Sequence, residues 1–138
     1  VTLSIDTNVF VDLIRGRHPG VREHFRLAVS AAEPLVASLI VLQELLYGAE
    51  IARDRTGQHL NVRQVLSGVE VQAFDERDIA ATALLRAKLK STGLSIGLYD
   101  ALIAGQALAR DWTVVTANTR EFARIDGLNV IDWTAPAA

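Results

Sequence analysis

Oxygen-bearing side chains occur in four stretches where an apolar setting makes a charge expensive. Asp6 comes directly after an apolar run, in Leu3-Ser4-Ile5-Asp6-Thr7-Asn8. Glu44 interrupts Leu39-Ile40-Val41-Leu42-Gln43-Glu44-Leu45-Leu46, with Gly48 one turn later leaving room for an ion or a substrate. Asp100 opens the apolar segment Asp100-Ala101-Leu102-Ile103-Ala104, and Asn118 and Glu121 follow Thr113-Val114-Val115. An ionised carboxylate on an apolar face costs several kcal/mol unless it is paired or holds a metal. Oxygen donors without His or Cys suit Mg2+ or Mn2+ and not zinc. Carboxylates brought together repel one another until a dication neutralises them, and such a cluster fits metal-assisted phosphodiester hydrolysis.

Each acid also has an ordinary reading. Asp6 serves equally well as a helix N-cap, and capping explains part of Asp100. Glu44 can be a half-exposed side chain beside Gln43 or the partner of an arginine. Asn118 and Glu121, taken alone, form a common polar turn after a strand. The three histidines, His18, His24 and His59, fall on polar helix positions without ligand spacing and read as surface. No Gly-rich phosphate loop, nucleophile elbow or dinucleotide fingerprint is present in the sequence.

The elements that must position these residues alternate. Strands are expected at 1–5, 35–37, 69–74, 113–115 and 128–131. Helices are expected at 7–14, from 18 to about 32, 39–52, from 57 to about 66, from 75 through 90, 99–110 and 119–124. Val21, Phe25, Leu27, Ala28 and Ala32 supply the apolar stripe of the second helix. Ser38 and Asp75 read as N-caps, because short polar side chains satisfy the free amides of a first turn. Strands alternating with helices, with little hairpin chemistry, give an α/β fold with a short parallel central sheet covered on both faces, an α/β/α sandwich.

The chain has 138 residues, half of them apolar and 22% charged, which fits one compact domain and not a disordered one. The domain is expected at 1–134, with 135–138 as a tail. With no cysteine, a disulfide scaffold, a thiolate zinc site and a cysteine nucleophile are all excluded. No apolar run approaches a membrane span and residues 1–6 carry no basic leader, so a cytoplasmic location without membrane contact is expected. The formal net charge of −2 argues against binding nucleic acid through bulk positive charge, while allowing a nuclease whose positive charge arrives as a cation.

Five pieces together resemble the PIN-domain ribonucleases, and more narrowly the VapC toxins of bacterial toxin–antitoxin pairs. They are Ile5-Asp6-Thr7-Asn8-Val9, Gln43-Glu44-Leu45-Leu46-Tyr47-Gly48, Gly97-Leu98-Tyr99-Asp100-Ala101, Thr116-Ala117-Asn118-Thr119-Arg120-Glu121-Phe122 and Asp126-Gly127-Leu128-Asn129-Val130-Ile131-Asp132-Trp133. Singly they are weak; their order and spacing are specific, and they run nearly end to end.

The resemblance implies an endoribonuclease dependent on Mg2+ or Mn2+, a homodimer, and a cognate antitoxin through which alone operator DNA would be bound. By position, Asp6, Glu44 and Asp100 would hold the metal, with Asn118 or Glu121 completing the catalytic set. Many PIN domains have Asp where this chain has Asn118, which brings an oxygen without a charge. Thr7, Asn8 and Thr116 would orient the acids or water. Arg86 and Lys90, four apart on one helix face, or Arg120, would meet RNA phosphates. Two other readings compete: a silent PIN-like module binding RNA or protein, and a Mg2+-dependent phosphatase, which needs Asp-x-Asp where this chain has Asp6-Thr7-Asn8.

Overall fold

The computed structural model describes residues 1–137. Its elements alternate as the hydrophobic pattern requires: β1 (Leu3–Ile5), α1 (Thr7–Arg15), α2 (Pro19–Ser30), β2 (Leu35–Ser38), α3 (Leu39–Glu50), α4 (Arg55–Val65), β3 (Glu70–Gln72), α5 (Glu76–Ser91), α6 (Leu98–Arg110), β4 (Thr113–Val115), α7 (Thr119–Phe122) and β5 (Asn129–Ile131). All strands pair parallel in the order β3-β2-β1-β4-β5. Every residue of β1, β2 and β4 is buried, as expected for strands covered on both faces. Right-handed crossovers place α1 to α4 on one face and α5 to α7 on the other.

The strand order carries a functional consequence. The chain leaves β1 toward β2 and later returns across the sheet to β4 on its other side. The carboxyl ends of β1 and β4 therefore flank a topological switch point, where open α/β sheets keep their ligand crevice. Register aligns Ile5 with Val115, which puts Asp6 beside Thr116 just beyond the sheet.

Local chemistry sets the helix ends. Asp6 is the N-cap of α1, and Ser38 Oγ accepts from Val41 N at 3.2 Å to start α3. Asp75 starts α5 in a capping box with Asp78. These caps agree with the sequence expectation, and the expected element ends fall within two residues of those observed, some wide and some narrow.

One expectation about packing needs correction. In α2 only Val21 and Ala28 are buried and Phe25 half-buried, whereas Leu27 and Ala32 face solvent. The core-facing row steps 21, 25, 28; Leu27 is off it, and Ala32 lies past the helix end at φ 55°. Helix α3 is apolar nearly all round but buried only along Val41, Leu45 and Ala49, leaving Leu39, Leu46 and Tyr47 exposed.

Helix α6 is held tightly along α5. A Cβ on Gly105 would lie 2.8 Å from Thr82 Cα, so the two backbones approach only because this residue is glycine. At the far end Arg110 donates to Asp78 Oδ1 at 3.0 Å and Oδ2 at 2.7 Å, and to Ala73 O at 3.0 Å. Burial alone would raise the Asp78 carboxyl, but the Arg110 guanidinium outweighs it and holds the carboxyl below its ordinary value. Of the expected tail, residue 138 lies outside the described residues, and Ala135 O lies 3.1 Å from His24 Nε2.

Candidate active site

Asp6 is the most constrained acid. Its backbone N donates to Val115 O at 2.9 Å, extending the β1–β4 ladder one residue past the sheet before the chain turns into α1. Its carboxylate, 4% exposed, accepts from Thr7 N at 2.8 Å, Asn8 Nδ2 at 3.0 Å and Thr116 Oγ1 at 2.8 Å. It is thus both a cap and a crevice acid, and the two readings open in the sequence coexist.

Glu44 is half-buried on the inner side of α3, where Thr7 Oγ1 donates to its Oε1 at 2.7 Å. Among the described residues no arginine or lysine pairs with it. Asp100 sits in the first turn of α6, behind Gly97, whose lack of a side chain leaves the helix uncapped. Among the described residues no backbone amide bonds to the Asp100 carboxylate, so capping does not explain it. Glu121 lies in the first turn of α7. Between these two, Asn118 directs its NH2 at Asp100 Oδ2 (3.4 Å) and Glu121 Oε2 (3.1 Å), presenting a donor to the acids.

Threonine and asparagine side chains knit the rest. Thr116 Oγ1, besides donating to Asp6, accepts from Asn118 N at 2.9 Å and Asn8 Nδ2 at 3.2 Å. Asn8 Oδ1 accepts from Ala117 N at 3.1 Å. Thr7, Asn8 and Thr116 therefore touch the acids from three directions. Arg86, Lys90 and Arg120 are exposed, and among the described residues no hydrogen bond or ion pair links any of them to the acids. His18 is exposed, His24 stacks on Trp133 with ring centroids 6.0 Å apart, and His59 pairs with Glu50.

The electrostatics follow from the crowding. Burial pushes the Asp100 carboxyl up to about 7, helped by the negative charge of Asp6, by a hydrogen bond and charge from Glu121, and by the charge of Glu44. Asp6 is raised as well, first by burial and then by Glu44, against the pull of its three donors. Asp100 thus feels the charges of Asp6, Glu121 and Glu44, Asp6 feels Glu44, and no basic side chain bridges to any of the four among the described residues. Such a set fits a hard divalent cation in chemistry and charge. As placed, no three His, Cys, Asp or Glu side chains among the described residues are spaced to hold one ion. A bound ion would thus have to draw acids inward, against the repulsion that separates them.

The sequence model of the PIN domain family matches residues 3–128, and the chain belongs to that family. Family membership carries dependence on a divalent metal. Within the family, the chain is 37% identical over 129 residues to the tRNA(fMet)-specific endonuclease VapC of Salmonella typhimurium, covering 94% of this chain and 96% of that one. It is 33% identical to Ribonuclease VapC2 of Rickettsia felis, with the same coverage of both chains. Among solved structures it resembles VapBC2 from Rickettsia felis bound to a promoter DNA fragment, with TM-score 0.90 and 30% identity over 96% of this chain and 99% of that one. DNA-bound VapBC from Salmonella typhimurium gives 0.88 at 36% identity, over 96% and 98%.

Three contributors had no sequence signal beyond ordinary turn chemistry. The Thr7 bond to Glu44 spans 37 positions, and the Gly105–Thr82 and Asp78–Arg110 contacts that seat α6 read as a helix glycine and a cap.

Proposed function

We propose that this chain is an endoribonuclease, the toxin of a toxin–antitoxin pair, in which Asp6, Glu44, Asp100 and Glu121 hold Mg2+ or Mn2+ for hydrolysis of RNA phosphodiester bonds. The observation that carries the reading is four carboxylates from separate segments close enough for three of them to act on Asp100, without a basic partner among the described residues. A bound dication supplies positive charge to the scissile phosphate, the attacking water and the leaving oxygen. The protein's own groups prepare that arrangement. Thr116, Asn8 and Thr7 N fix the orientation of Asp6, and the Thr7 hydroxyl aims Glu44. Asn118 holds Asp100 and Glu121 side by side, and the proton that burial and crowding favour on Asp100 would be the one released were a cation to bind there. Arg120, on the helix that carries Glu121, and Arg86 with Lys90 are the cations offered to flanking phosphates.

The relatives' VapBC complexes support an antitoxin partner for this chain, with operator DNA bound through it. The apolar surface that α1 and α3 leave open gives such a partner its footing, and an arginine from it reaching the acids would displace the metal. A homodimer and a cytoplasmic site of action belong to the same reading. Among the described residues no helix is long and apolar enough to cross a membrane. Residues 1–134 form the domain.

The test is RNA cleavage by the purified chain, with the tRNA(fMet) named for the Salmonella relative as first substrate. Cleavage with Mg2+ or Mn2+, abolished by chelator and by Asp6→Ala, supports the reading. Wild-type protein that leaves RNA as intact as Asp6→Ala does overturns it in favour of a silent binding module.

A further inference from the structure

The catalytic crevice has a neighbour whose shape the chain's own packing does not explain. Between α1, α3 and α4 lies a cavity of about 120 Å3, lined by Val11, Ile14, Arg15, Glu44, Leu45, Gly48 and Gln58. Glu44 belongs to both places: it forms part of the cavity wall, and through Thr7 it stands one hydrogen-bonded residue from Asp6. Whatever fills the cavity therefore touches Glu44, the acid that the cavity shares with the site.

Gly48 is the telling residue. It lies exposed in the last turn of α3 with helical backbone, where glycine costs at most about 1 kcal/mol relative to alanine. Nothing requires that cost within the chain. Its φ is not positive, and a Cβ built on it meets no atom within 4 Å. The other helical glycines each meet a close neighbour: a Cβ on Gly105 would press on Thr82, one on Gly20 on Ala135 O at 2.7 Å, and one on Gly57 on the Asp54 side chain. Gly48 keeps open a space that only something from outside can use.

The lining says what that is. Val11, Ile14 and Leu45 offer apolar walls to a flat ring. Gln58 has its Oε1 occupied by Asn61 Nδ2 at 3.2 Å, which orients the amide and leaves its NH2 as a donor with no partner among the described residues. Arg15, at the carboxyl end of α1, is exposed and makes no ion pair among the described residues. Apolar faces, one edge-reading amide and a cation are the complement of a nucleobase and its phosphate. At roughly 30 Å3 of liquid volume per water molecule, the cavity holds the equivalent of about four waters, room of the order of a single ring system.

We propose that this cavity is the base-reading subsite of the enzyme: it takes one unstacked RNA base beside the scissile phosphate, with Gln58 reading the base edge, Arg15 holding that nucleotide's phosphate and Gly48 giving the base its room. Sequence-specific proteins recognise RNA chiefly through such splayed bases. The inference rests on the RNA-cleaving reading above, and supplies the nucleotide preference which that reading lacks.

The test uses the full chain and a fluorescein-labelled single-stranded RNA pool randomised one position at a time, with Mn2+ present. Cleavage is followed with the wild type, and binding by anisotropy in an Asp6→Asn background. Gly48→Leu fills the cavity; it is expected to raise KM about tenfold and flatten the preference at one position, consistent with the loss of a good base contact. Its melting temperature is expected to hold or rise, since leucine favours helix. Gln58→Ala relaxes preference at that same position, and Arg15→Ala weakens binding equally for all sequences and reduces its salt dependence. Unchanged KM, binding and preference in Gly48→Leu and Gln58→Ala would overturn the proposal, as would loss of antitoxin binding in Gly48→Leu with RNA preference intact, which gives the cavity to a protein side chain. RNA binding that follows Gly48 and Gln58 in a wild-type chain unable to cleave any RNA would overturn the nuclease reading and leave the subsite standing.

Discussion

Thr116 Oγ1 donates to Asp6 Oδ2 at 2.8 Å across 110 positions of sequence, and the same oxygen accepts from Asn118 N and Asn8 Nδ2. One hydroxyl thus fixes the acid after β1 to the loop after β4. Thr116→Val keeps the shape and removes that hub, stranding a buried carboxylate and a backbone amide. The expected result is a loss of about 1–3 kcal/mol in urea unfolding. RNA cleavage is expected to fall by roughly 10–100-fold, as when a residue supporting a metal ligand is lost.

Neutralising the acids separates chemistry from stability. Asp6→Asn, Asp100→Asn and Glu44→Gln should each reduce cleavage by more than the roughly 10–100-fold that loss of a supporting residue brings. Their melting temperatures should stay level or rise, because mutual repulsion is relieved. Asn is also a good N-cap, so Asp6→Asn keeps the start of α1, whereas Asp6→Ala is expected to lose about 1 kcal/mol more. Unfolding of the Asn variants would make the acids structural.

Asp100 gives a pH signature. Its carboxyl lies at about 7 in the folded chain, against about 4 in an unfolded one. Between those values the folded state holds a proton that the unfolded state has released, so stability falls as pH rises. The urea midpoint of chelator-treated protein should decline from pH 4 to pH 7 through this group. Asp100→Asn should flatten that decline, and Mn2+ added at pH 8 should recover the lost stability.

The seat of α6 is open to a simple mutation. Arg110→Ala leaves Asp78, which is 0% exposed, without its cation. Stability is expected to fall by roughly 3–5 kcal/mol, which equilibrium unfolding measures directly. Asp78→Asn combined with Arg110→Ala should recover part of that loss.

Much of this architecture was legible before any coordinates. Asp6, Glu44 and Asp100 stood out because each charge sits in an apolar segment, and Asp6 and Asn118 because they follow strands. Ser38 and Asp75 announced their helices. The connections between distant segments were not legible. Nothing local says that Thr7 reaches Glu44, or that Asn118 turns its NH2 toward Asp100 and Glu121. Leu27 was misjudged for a related reason: an approximate apolar stripe does not fix which row of a helix faces the sheet. Gly48 and Gly105, two of the glycines within helices, read alike in sequence, and only their neighbours show that one is filled by Thr82 and the other left open.

The most direct measurement is Mn2+ binding by isothermal titration at neutral pH, on the wild type and on Asp6→Asn, Glu44→Gln and Asp100→Asn. The wild type should bind with release of protons, and each variant should lose affinity. Equal affinity in all four proteins would show that these acids do not form one metal site.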